Sequence, residues 1–87
     1  MSTQTRRLDQ TWEFILRLVR SGMRPYDMID EIAQKKFGDK GYRGAAKSEM
    51  LKIAKEGYIM ISGKNFVPKL TPKGDEYYQM YLQGERK

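Results

Sequence analysis

A mainly α-helical domain with one small β-hairpin is the fold class this sequence predicts, in the order helix, helix, helix, hairpin, helix. Three observations carry that expectation. Apolar residues recur at helical spacing through three stretches up to Glu56. From Tyr58 to Leu70 the chain turns β-branched and aromatic on either side of Ser62-Gly63-Lys64-Asn65. Thr71-Pro72 then has the character of a helix cap followed by proline at the first helical position.

In the first helix, Leu8, Trp12, Ile15 and Val19 fall at i, i+4, i+7 and i+11, with Phe14 and Leu18 widening the stripe. That spacing is an amphipathic helix facing a core. Ser21-Gly22 ends it, the glycine supplying a left-handed C′ residue. Pro25 suits the first turn of a second helix, and Asp27 sets an acid beside the positive end of its dipole. Tyr26, Ile29, Ala33 and Phe37 make its expected inner face, with Met28 and Ile32 alongside and Gly38 as the stop.

The third helix is expected from about Gly44 to Glu56, after a glycine-rich connector. Ala46, Met50, Ile53 and Gly57 track one face, Lys47, Ser48, Lys52 and Lys55 lie on others, and Leu51 sits between them. Strands follow at Tyr58–Ser62 and Phe66–Leu70, with Ile59 and Ile61 on one side. Gly63 and Asn65 are the turn residues that tolerate positive φ. Pro68 marks the second strand as an edge. The last helix is expected over 72–84, with Asp75 and Glu76 near its start and Tyr77, Tyr78, Met80, Tyr81 and Leu82 crowding its end.

With 87 residues, 39% of them hydrophobic, and no repeat or linker, residues 1–87 read as one small domain with enough apolar content for a core. The chain has no cysteine and no histidine, which removes disulfides, thiolate metal sites, cysteine nucleophiles and a histidine general base together. No cofactor or metal is expected, and the sequence reads as a non-enzyme. No apolar run approaches membrane-spanning length, and MSTQTRRLDQ lacks the apolar centre of a signal peptide. The expected setting is cytoplasmic, associated with the nucleoid.

The net charge is +6, and it is concentrated. Residues 39–69 hold seven basic side chains against three acidic ones, while 70–87 balance. A basic helix followed at once by a basic hairpin makes a surface suited to a polyanion. The glycines of FGDKGYRGAAKS invite comparison with a phosphate-binding loop, but the spacing is one residue too long. Ala45 stands where that motif needs lysine, and no strand precedes it.

The line from Ala46 to Tyr78, a helix ending in KEGYI, strands around SGKN, then LTPKG, resembles the winged helix-turn-helix regulators such as the MarR-type and PadR-type groups. The likeness is close over the last half of the chain and rests on helix order in the first. The connector GDKGYRG is longer than the tight turn of those proteins. The resemblance implies a small transcriptional regulator binding double-stranded DNA in a sequence-specific way. Its third helix would enter the major groove, with Arg43, Lys47 and Ser48 near base edges and Lys52 and Lys55 on phosphates. Lys64 and Asn65 would form the tip of the wing, and Arg24 with Tyr26 would clamp a phosphate at the start of the second helix, the alternative being that Tyr26 is core and Arg24 surface. The crowded tyrosines imply a homodimer through the C-terminal helix. The alternative is a winged-helix protein-interaction module within a larger complex. Single-stranded nucleic acid is a further class, for which Tyr42 and Tyr58 are the available stacking residues.

Overall fold

The computed structural model describes residues 7–83. The order is α1 (Gln10–Ser21), α2 (Pro25–Phe37), α3 (Arg43–Lys55), β1 (Ile59–Ser62), β2 (Val67–Leu70) and α4 (Pro72–Tyr77), which runs on as a π-helical segment over Tyr78–Leu82. It is mainly helical with a two-stranded antiparallel hairpin, as the sequence predicts. The expected end of the last helix at 84 lies outside the described residues. Among the described residues no helix is long and apolar enough to cross a membrane.

Helix α1 begins one residue after Asp9, whose carboxylate accepts from the Thr11 N–H at 2.7 Å. Leu8, expected inside the helix, therefore precedes its cap. The buried stripe is Ile15, Leu16 and Val19, with Trp12, Phe14 and Leu18 half-buried at its flanks. Leu16 lies off the i, i+4, i+7 line, which follows only one edge of a wider face. Gly22 closes the helix at φ 81°, in the left-handed region that favours glycine.

Helix α2 buries Met28, Ile29, Ile32 and Ala33. Tyr26 does not belong to this inner face and is 76% exposed. The stripe is centred on Met28 and Ile32, so Tyr26 falls at its edge, one turn beyond the reach of α1 and α3. Phe37 is half-buried and stacks on Tyr42 with ring centroids 5.2 Å apart. That contact helps fix the connector between α2 and α3. Asp39 tightens it further: its carboxylate accepts from Gly41 N–H at 2.8 Å and its carbonyl from Tyr42 N–H at 3.1 Å. The extra residues are thus folded into an Asx turn followed by a single backbone turn. Helix α3 starts at Arg43 and ends at Lys55, one residue earlier at each end than the spacing suggests.

The three helices and β1 close one core, in which Ile15, Leu16, Ile29, Ile32, Met50, Ile53 and Ile59 are fully buried. Glu49 of α3 ties them at the rim. It accepts from the Trp12 indole N–H at 3.1 Å and pairs with Lys36 at 3.9 Å and Lys52 at 3.5 Å.

The hairpin register sets Ile59 opposite Leu70 and Ile61 opposite Pro68. The turn occupies Gly63 to Phe66, one residue later than expected. Gly63 has φ 69°, but the second positive φ, 54°, falls on Phe66 and not on Asn65. A left-handed phenylalanine is strained by about 1–2 kcal/mol. What holds it is the half-buried ring, packed against the core and capped by the Lys47 ammonium 5.2 Å from its centroid.

The LTPKG segment has a mechanical explanation. Thr71 caps α4 by accepting from Gly74 N–H at 3.1 Å while its hydroxyl donates to the Gly57 carbonyl at 2.6 Å. The Thr71 N–H reaches the Tyr58 carbonyl at 3.1 Å. Gly74 is then pressed on that same carbonyl: a Cβ there would overlap the Tyr58 oxygen and lie 2.9 Å from its carbon. Threonine locks the end of α3 to the start of α4, and glycine lets the backbones meet.

Beyond α4, Tyr77 is buried and its hydroxyl donates to Glu13 at 2.6 Å while accepting from Leu8 N–H at 2.6 Å. Arg7 completes the group with two bonds to Glu13, at 2.8 and 3.1 Å. Tyr81 packs on Tyr77 at 4.7 Å and under the Arg7 guanidinium, and Tyr78 lies under that of Arg20. The tyrosines that the sequence offers as an interface are thus used within the chain. Met80, 61% exposed, is what the segment leaves outside.

Candidate nucleic-acid interface

Helix α3 turns Ala46, Met50 and Ile53 into the core, and geometry then dictates what faces out. Gly44, Ser48, Leu51 and Lys55, at i, i+4, i+7 and i+11, form the exposed line opposite. Lys47 flanks that line on one side and Lys52 on the other. Arg43, Lys47, Lys52 and Lys55 are all exposed, whereas the one acid of the helix, Glu49, is turned inward to Trp12 and Lys36. The outer face of α3 consequently carries cations and no acid of the helix, with Gly44, Ser48 and Leu51 as its neutral positions. The hairpin adds exposed Lys64 and Lys69 and no acid.

The expected site residues do not all stand alike. Arg43 occupies the first turn of α3, where a positive charge opposes the helix dipole and no acid of the helix itself compensates. Compensation comes from α2: Nε of Arg43 donates to Asp30 at 2.6 Å. This hydrogen bond holds the Asp30 carboxyl below, and the Arg43 guanidinium above, their ordinary ranges. Arg43 is thereby tied to α2 through Nε while its side chain stays exposed. Lys47 spans to Phe66, so helix and hairpin are joined at the point where both would meet a partner. Lys52 is drawn toward Glu49. Lys55 and Lys64 have neither hydrogen bond nor ion pair among the described residues, and Ser48 is exposed on the outer line.

Arg24 and Asn65, far apart in sequence, come together. With Pro25, Tyr26, Asp27 and Val67 they line a concavity of about 370 Å³ between the start of α2 and the hairpin tip. Arg24 there shares its charge with Asp27 at 3.5 Å. Tyr26, which the sequence offers either as a core residue or as a companion of Arg24 at a phosphate, is exposed and lines this concavity. Leu51, which the spacing leaves between the faces as a partly exposed apolar contact, is 52% exposed and belongs to the outer line.

A groove of about 620 Å³ lies elsewhere, between the α1–α2 turn, β2 and the start of α4. Its lining includes Val19, Met23, Met28, Pro68 and Leu70, with the Arg20–Asp75 pair at 2.7 Å on its rim. No convergent set of catalytic groups stands in it, and none of its lining comes from α3. Among the described residues no cluster of acidic side chains is arranged to hold a metal. No protein-family model, curated protein or solved structure matches this chain.

Proposed function

We propose that this chain is a winged-helix protein that binds double-stranded DNA, with α3 as the recognition helix and the hairpin as the wing, in the role of a small transcriptional regulator at the nucleoid. The observation that carries the reading is the division of charge on α3: its cations face out and its acid faces in. Support comes also from the element order, from the tie between Lys47 and Phe66, and from the meeting of Arg24 with Asn65 beside the hairpin tip. Arg43, steadied by Asp30, and Lys47, with Ser48 on the exposed line, would face base edges, while Lys52, Lys55 and Lys64 would lie on phosphates.

Titration of labelled duplexes against salt tests it. If roughly four to six phosphates are neutralised, log K falls with log salt at a slope of about −4 to −5. Lys64→Ala is expected to weaken all duplexes alike and flatten that slope by about one. Arg43→Ala is expected to cost roughly 1–3 kcal/mol on a selected site and less on random DNA. Folded protein that shifts no duplex at low salt would remove the DNA reading in favour of the protein-interaction module.

Pairing through the terminal helix draws no support from the packing, since Tyr77, Tyr78 and Tyr81 are engaged within the chain. Sedimentation at micromolar concentration is therefore expected to give the monomer mass of 10.2 kDa. A mass about twice that, returned to the monomer value by Met80→Glu, would restore the dimer.

A further inference from the structure

A leucine at the centre of the cationic face of α3 needs an account. Leu51 is 52% exposed and sits between Lys47 and Lys55, each one turn away on the same surface of the helix. Its companions on the exposed line are Gly44 and Ser48, both small, so the side chain of Leu51 stands higher than what precedes it. Among the described residues of α3 it is the one large apolar side chain that is exposed. It is a single apolar projection surrounded by ammonium groups.

We propose that Leu51 is a specificity-determining residue that packs against the 5-methyl group of a thymine in the major groove. The inference rests on the duplex-DNA reading above and gives it chemical content. Lys47, Lys52 and Lys55 set positive charge around Leu51 with no acid of the helix facing out, and that charge favours a polyanion, a nucleic-acid duplex, as the occupant of this face. Within the major groove, the base edges present hydrogen-bond donors and acceptors, and the thymine methyl is the apolar group among them. A half-exposed leucine carried into that groove finds its match there, and cytosine at the same position would offer it only a polar amine. Gly44 assists by presenting no side chain in the first turn: a Cβ at that position would meet nothing in the protein. Gly44 thus leaves the surface low two turns before Leu51.

The experiment begins with a binding site selected from a random duplex library by the wild-type protein. Each thymine of that site is then replaced in turn by deoxyuridine, which removes the methyl and nothing else, and affinity is measured at fixed salt for wild type and Leu51→Ala. At one position the wild type is expected to lose about fourfold, the equivalent of one buried methyl group, while Leu51→Ala is indifferent to the same change. On random duplex the two proteins are expected to bind alike. Uniform tolerance of deoxyuridine by the wild type, an equal loss in both proteins, or a selected site without thymine would overturn the inference and leave duplex binding standing. Failure of the wild type to bind any duplex would take down both. Leu51→Gln, which keeps length and helix preference but not apolarity, is expected to behave as Leu51→Ala does. If it retains the methyl preference, the leucine is not its source.

Discussion

Gly74→Ala is expected to destabilise the fold by about 2–3 kcal/mol, as an overpacked site does. For a domain of this size that lowers the melting temperature by about 10–20 °C. Helix propensity alone gives the opposite sign, since alanine in place of glycine within a helix is worth about 1 kcal/mol. The collision decides the matter. The added carbon would overlap the carbonyl oxygen of Tyr58, and that oxygen is backbone, already engaged by the Thr71 N–H, with no flexible side chain to swing aside. Gly44→Ala is the natural control. Its Cβ meets nothing and its φ is not in the left-handed region, so it is expected to stabilise by about 0.5–1 kcal/mol. Thermal denaturation of the two variants side by side checks the pair, and a melting point for Gly74→Ala at or above that of the wild type would refute the close approach.

Glu13→Gln is expected to cost about 2 kcal/mol at neutral pH, in the range of hydrogen bonds made to a charged group. The loss should fade in acid. Burial by itself would raise the Glu13 carboxyl, but hydrogen bonds from Arg7 and Tyr77, together with the charges of Arg7 and Arg17, outweigh it and hold the group below its ordinary range. On acidification the unfolded chain is then protonated first. The stability drawn from Glu13 is complete above the unfolded value of about 4.3 and is lost as pH falls through the depressed folded value. Denaturant unfolding of wild type and variant from pH 7 down to pH 3 is expected to show two stabilities that converge. A constant gap across that range would mean that Glu13 acts through packing and not through its charge.

Much of the fold was legible in the residues. Gly22 and Gly38 stop their helices as glycine should, and Thr71-Pro72 caps and opens α4. The inward face of α3 follows its spacing at Ala46, Met50 and Ile53. What could not be read was long-range. Tyr26 shares the period of the α2 core, and only the lateral reach of α1 and α3 leaves it in solvent. The positive φ passed from Asn65 to Phe66 because a half-buried ring under Lys47 outweighs the local preference of asparagine. Lysine and arginine positions on α3 announced a cationic helix, but not that Asp30 would hold Arg43 or that Glu49 would pair with Lys52. The tyrosines of the last helix looked like an interface because their partners are distant in the chain: Leu8 and Glu13, 69 and 64 residues from Tyr77, and the guanidinium groups of Arg20 and Arg7 over Tyr78 and Tyr81.

That separation also fixes when the structure closes. Bringing groups so distant together requires most of the chain to be ordered first, and the entropy of the loop must be lost before the bonds at Tyr77 give anything back. Helices α1 to α3 and the hairpin find one another through shorter loops. The clasp of Arg7, Glu13 and Tyr77 is therefore expected to fasten late, after the folding barrier. Its loss should barely slow refolding in a stopped-flow experiment, and should appear instead as faster unfolding. The clasp serves less to guide the chain to its native state than to lengthen its stay there.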